Sequence, residues 1–164
     1  MKHVIGSTSN GSSVYVDLIR SKAAKQISAQ PQLLVFAKEA FKGLALSKDS
    51  IEIEHDMGRT IGYDFTIETN DKDTVFYAQL IKATDFTPYV KNGTPASTTH
   101  LSVILKKASD DEYELLDMWV GKMSPPLPGS ENATAKSALY WSSHAIIYTN
   151  QAIQTRSLTK TSPY

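Results

Sequence analysis

The chain has 164 residues, with 17 basic and 17 acidic side chains, four histidines and no cysteine. That length fits one domain, and an apolar share of 41% is enough for a core, which excludes a fully disordered chain. Zero cysteine excludes disulfide scaffolds, thiolate metal sites and cysteine nucleophiles, and zero net charge argues against a protein that coats nucleic acid electrostatically.

The start, Met1-Lys2-His3-Val4-Ile5-Gly6-Ser7, turns polar within a few residues and lacks the apolar stretch of a signal peptide, so a cytoplasmic location is expected. No run approaches the roughly 18–20 apolar residues of a membrane span, so no membrane partner is expected. Residues 1–13, rich in Gly, Ser, Thr and Asn from Gly6 to Ser13, read as a loop or mobile arm. Val14, Leu18, Ile19, Ala23 and Ile27 fall near a helical stripe, although Val14-Tyr15-Val16 alone also reads as a strand. Pro31 suits the first turn of a second helix, which carries Leu33, Leu34, Phe36, Ala37, Ala40 and Phe41 on an apolar face and stops at Gly43. Residues 15–46 are thus expected to be the helical part.

After Ser50 the period changes to two. Ile51 and Ile53 open a short strand, and Ile61, Tyr63, Phe65 and Ile67 alternate with Gly62, Asp64, Thr66 and Glu68. Asn70-Asp71-Lys72-Asp73 reads as a turn and Thr74 to Lys82 as the returning strand. Thr99 to Lys107 and Tyr113 to Lys122 read as two more strands, joined by a hairpin loop from Ala108 to Glu112. Three prolines and a glycine between Met123 and Asn132 end the sheet part, residues 50–149, as a continuous ladder. A short helix is expected from about Ala133 to His144, capped by Asn132 or Thr134, then a final strand from Ala145 to Tyr148 and a frayed polar tail, 150–164. The expected fold class is α+β: N-terminal helices packed on a four- to five-stranded antiparallel sheet with neighbouring strands paired, and a short C-terminal helix.

No histidine pair has metal-ligand spacing, so no metal and no cofactor is expected. There is no Gly-x-x-x-x-Gly-Lys-Ser/Thr loop, no Gly-x-Gly-x-x-Gly and no Gly-x-Ser-x-Gly. Three places remain. In His55-Asp56-Met57-Gly58-Arg59 a glycine bend would bring His55 and Arg59 to one side, unless this is a plain edge bulge. In Phe86 to His100, Lys91 beside the Asn92-Gly93 turn, with Ser97, Thr98 and Thr99 nearby, suits an oxyanion or phosphate; the other reading is a polar connecting loop. On the Ala133–His144 helix, Ser137, Tyr140, Trp141 and His144 share about a third of the circumference. An aromatic pair beside an imidazole suits base stacking, but it equally suits a core pair with a histidine at the helix end.

Two imidazoles, two cations and several hydroxyls without a metal cluster are the set that metal-independent RNA cleavage needs. A general base takes the 2′-OH proton, a general acid protonates the leaving oxygen, and a cation steadies the phosphorane.

His55-Asp56-Met57-Gly58-Arg59, Tyr89-Val90-Lys91-Asn92-Gly93-Thr94-Pro95, Gly121-Lys122-Met123-Ser124-Pro125-Pro126-Leu127-Pro128-Gly129 and Ser137-x-x-Tyr140-Trp141-x-x-His144-Ala145 occur in that order. In these stretches, between Ser50 and Ile147, the chain resembles a group of small bacterial proteins that are distantly similar to the barnase/EndoU/colicin/RelE-like ribonuclease superfamily. The resemblance implies an endoribonuclease, a toxin or mobile-element protein, that cleaves RNA on an open sheet face. It places acid–base work on His144 and His55, phosphate contacts on Lys91 and Arg59, and a supporting hydroxyl on Thr98 or Ser97; Tyr140 and Trp141 would hold the substrate. Its partners would be RNA and an immunity protein or host enzyme. The competing reading is a non-catalytic binding module, or a phage or plasmid accessory protein, that binds a protein, RNA or small ligand.

Overall fold

A computed structural model describes residues 2–7, 10–17, 30–42, 44, 46 and 48–164. In chain order these form β1 (Lys2–Ser7), β2 (Ser13–Asp17), α1 (Gln32–Ala40), β3 (Ser50–Asp56), β4 (Gly62–Asp64), β5 (Thr66–Glu68) and β6 (Val75–Gln79). Then follow β7 (Phe86–Val90), β8 (Ala96–Thr98), β9 (His100–Ser109), β10 (Glu112–Val120), α2 (Ala135–Trp141) and β11 (His144–Ile147). Strand takes up 42% of the described residues and helix 13%, so the protein is mostly β. The expected α+β class, with N-terminal helices on an antiparallel sheet, does not form.

The reason lies in the two strands that end at Asp17. Lys2–Ser7 is a strand, not an arm, and it pairs antiparallel with β2 across a turn at Asn10-Gly11, where Gly11 takes φ +81°. Val14 and Val16 point inward and are buried, the period-two habit of β-branched residues. What selects strand over helix here is remote: β2 runs parallel to β10, with Tyr15 opposite Glu112 and Val16 opposite Tyr113. The stripe of Leu18, Ile19, Ala23 and Ile27 lies outside the described residues. The second helix does form, beginning after Pro31 and capped at Phe41.

By contacts the chain divides into two compact units, residues 1–62 with 97–123 and residues 63–96 with 124–164. The first unit holds a five-stranded sheet of order β1-β2-β10-β9-β3. Leu33, Ala37, Ala40 and Phe41 of the α1 segment join Val14, Val16, Ile51, Ile53, Leu101, Val103 and Leu105 in one apolar cluster. Inward positions on β10 are Tyr113, Leu115 and then Met118, because a bulge between Leu115 and Asp117 inserts one residue into the alternation. The Tyr113 hydroxyl lies 2.6 Å from Leu46 O and 2.8 Å from Lys48 O, so it donates to the chain entering β3. Burial, and then the charge of Asp49, push this phenol above its ordinary pKa.

The second unit holds a four-stranded sheet of order β5-β11-β7-β6. The expected hairpin between Ile61–Glu68 and Thr74–Lys82 does not form. The first stretch is interrupted at Phe65, where Asp64 Oδ1 accepts from Thr66 N at 3.0 Å, and β5 then pairs with β11. The partner of β6 is β7, a strand through Thr87-Pro88-Tyr89 in a region the sequence presents as a connecting loop. Phe76, Ala78 and Tyr89 pack with Ile146 and Tyr148 on one face of the sheet; Val90, Ala145 and Ile147 pack with Ile67 and Val75 on the other.

The C-terminal segment is not frayed. Tyr77 and Thr159 exchange backbone hydrogen bonds of 2.7 and 3.0 Å, Gln154 N donates to Gln79 O at 2.8 Å, and Gln79 N donates to Ser157 Oγ at 2.8 Å. These bonds lay residues 153–159 along the free edge of β6, an edge that would otherwise offer unpaired amides. Among the described residues no helix is long and apolar enough to cross a membrane.

Leu115 is fully buried at the start of the bulge. Leu115→Ala is expected to lower unfolding free energy by about 2–5 kcal/mol, through lost transfer energy and a residual cavity. Urea denaturation measures this; a loss under about 1 kcal/mol would place Leu115 at a site that collapses freely.

Candidate functional site

The second unit contains a cavity of about 550 Å³, within the size range of small-molecule sites. Four pieces of chain build it. The antiparallel pairing of β6 and β7 sets Phe76 opposite Tyr89, with ring centroids 5.6 Å apart. Beyond Val90 the chain turns through Lys91, Asn92 and Gly93. A Cβ on Gly93 would lie 2.6 Å from Ile147 Cγ1, so only glycine lets this turn settle against β11. Lys91 Nζ reaches back over the Phe76 ring at 5.7 Å from its centroid.

The third piece is the Asn70–Asp73 turn, held by its own side chains. Asn70 N donates to Asp73 Oδ2 at 2.8 Å and Lys72 N donates to Asn70 Oδ1 at 2.9 Å. It brings Lys72, Asp73 and Thr74 to the cavity. The fourth is the C-terminal segment, whose pairing with Tyr77 delivers Leu158, Thr159 and Lys160.

The lining therefore carries three ammonium groups, Lys72, Lys91 and Lys160, against one carboxylate, Asp73. Among the described residues none of the three lysines lies within ion-pair distance of a carboxylate. Val90, Phe76 and Leu158 supply an apolar wall, and Leu158 is 55% exposed, a large apolar side chain left facing water. The arrangement attracts anions and offers them an apolar surface.

Tyr164 anchors the end of this wall. Its hydroxyl donates to Phe86 O at 2.8 Å, and its ring stands edge-on to Tyr77 at 5.9 Å. Burial first, then the neighbouring Tyr77 and Asp85, push its pKa up to about 12.

The residues singled out from the sequence fall into both units. In the first unit, Gly58 takes φ +71°, and beyond this bend Arg59 returns to α1. Its guanidinium meets Glu39 through two bonds, 3.3 and 3.1 Å, and lies 5.9 Å from the centroid of Phe36. The Arg59 hydrogen bond holds the Glu39 carboxyl below the usual range, and His55 adds to the same effect. The arginine is thus matched by a carboxylate. Thr98 is buried, and its hydroxyl accepts from His100 N at 3.1 Å.

In the second unit Trp141 is buried, and its indole N–H donates to Pro125 O at 3.0 Å, which pins the proline loop to α2. Tyr140 and His144 stack at 3.8 Å with a 7° interplanar angle. His144 Nδ1 lies 2.8 Å from Tyr140 O. A carbonyl only accepts, so this contact has Nδ1 as the donor, and Ser143 Oγ lies 3.1 Å from the same nitrogen. Glu68 is the cross-strand partner of His144.

Lys91 and His144 do not converge. The register aligns Ile146 with Tyr89 and Ile147 with Val90. His144 is therefore level with Thr87 and Lys91 with Tyr148, four positions or about 13 Å apart along the strands. Lys91 also leans toward β6, on the side of β7 away from β11. Among the described residues no three His, Cys, Asp or Glu side chains gather where they could hold a metal ion.

Sequence reasoning singled out Lys91 and its turn but not Lys72, Phe76, Leu158 and Lys160, which line the same cavity. Lys72 is marked only as a turn residue and Lys160 only as part of a polar tail. Their meeting depends on the tail pairing with β6, which no local pattern signals.

No protein-family model, curated protein or solved structure matches the chain.

In a spectrophotometric titration Tyr164 is expected to give a phenolate component near pH 12 that Tyr164→Phe removes. Between an ordinary tyrosine pKa of about 10 and that value, the undocked segment ionises while the docked phenol does not, so docking weakens as pH rises. Loss of a component near the ordinary pKa of about 10 instead would show that Tyr164 is not docked.

Proposed function

We propose that the chain is a non-catalytic binding module whose site is the lysine-lined cavity of the second unit, and that it takes a small anionic ligand. One observation carries this reading: among the described residues, three lysines without carboxylate partners line a cavity of about 550 Å³ that has a single carboxylate and an apolar wall. Lysines on a preformed cavity attract anions at range and hold them as point charges.

The probe that tests this is inorganic pyrophosphate, followed by thermal unfolding at low ionic strength. A ligand at about 100 times its dissociation constant raises stability by about 2.7 kcal/mol. Stabilisation is expected in the natural chain, to weaken with added salt, and to be lost in the triple variant Lys72→Ala, Lys91→Ala, Lys160→Ala. Equal stabilisation of that variant would remove the cavity from the reading.

A second reading, metal-independent RNA cleavage, is supported by His144. Its Nδ1 bond to Tyr140 O leaves Nε2 as a base, and Glu68 stands opposite it in the register. On this reading RNA is cut in the presence of chelator, and His144→Ala abolishes cutting, a loss of about 10²–10⁴ in rate for one acid–base group, with an unchanged melting temperature. No cleavage by the natural chain at any pH would end it.

A further inference from the structure

The charge and shape of the cavity narrow its ligand further, on the premise that the cavity is the binding site. Three ammonium groups and one carboxylate leave two positive charges to be met. A phosphodiester brings one negative charge and leaves a surplus. A phosphate monoester brings nearly two at neutral pH and presents three acceptor oxygens on its terminal group. Three lysine ammonium groups match those oxygens in number, and with Asp73 the net charge of the lining offsets the dianion.

The apolar wall adds a second requirement. Leu158 lines the cavity while 55% exposed, and Val90 and Phe76 lie beside it. Lys91 already covers Phe76, so its ammonium is stationed at the boundary between the charged and apolar parts of the lining. A bare inorganic ion would leave Leu158 in water, whereas an apolar body attached to the phosphate would cover it.

We infer that the cavity recognises a small phosphate monoester with an apolar or aromatic body, its dianion among Lys72, Lys91 and Lys160 and its body against Leu158. Among the described residues Asp73 is the one carboxylate of the lining and no histidine lines the cavity. The monoester gains its second charge near pH 6, so affinity falls as pH drops, by up to about tenfold per unit below that value.

The experiment compares phenyl phosphate, methyl phenyl phosphate, inorganic phosphate and phenylsuccinate by calorimetry on the full chain. Phenyl phosphate is expected to bind about tenfold or more tightly than methyl phenyl phosphate near pH 8, with the gap closing near pH 5. Leu158→Ser is expected to erase the advantage of phenyl phosphate over inorganic phosphate. Equal affinity for monoester and diester, or phenylsuccinate binding as tightly as phenyl phosphate, would overturn the monoester assignment and leave the anion cavity standing. Binding of none of the probes, or phenyl phosphate binding undiminished by Lys91→Ala with Lys160→Ala, would overturn the cavity itself.

Discussion

A reciprocal pair of backbone hydrogen bonds between Tyr77 and Thr159 is the constraint on which the site depends. Together they tie the last stretch of chain to the edge of β6. Without that pairing the cavity loses Leu158, Thr159 and Lys160 together, and with them a cation and the exposed part of its apolar wall. The bonds also close an open sheet edge, so the same contact protects the strand and builds the site. Tyr164 extends it by bonding to Phe86 O, which reaches past β6 to the next strand.

The two units use their cations differently. In the first, Arg59 is clamped between Glu39 and the Phe36 ring, with Met57 O as a further acceptor at 3.3 Å. A planar guanidinium fits that fork and stack, and what it does there is hold the chain after β3 to α1. In the second, Lys91 rests over Phe76 with no carboxylate at ion-pair distance among the described residues. One cation is a structural clamp, and the other lies on the cavity lining. Both sit beside a glycine turn, so neighbouring residues alone do not distinguish them.

Local patterns account for much of the secondary structure. The alternation of Ile51 and Ile53, the hairpin between β9 and β10, the helix after Pro31 and the short helix capped by Thr134 all follow from period, proline and capping chemistry. They fail where pairing is remote. Val14-Tyr15-Val16 satisfies both a helical stripe and a strand, and its parallel neighbour nearly a hundred residues later decides. Phe86–Val90 carries a proline and is flanked by polar turns, so it reads as a loop until β6 pairs with it. The bulge after Leu115 shifts Met118 inward and conceals the strand's true period.

By itself the sequence determined that the chain can build a cysteine-free core, where its turns lie, and that Lys91 sits beside a tight glycine turn. Those properties are local, set by side-chain composition and by backbone freedom over a few residues. The tertiary structure alone decided that the fold is mostly β, that Lys91 and His144 stand at different levels of one sheet, and that Lys72 and Lys160 join Lys91. Strand register is a relation between distant stretches, fixed by which backbone groups find partners and which faces are buried, and no window of neighbouring residues contains it.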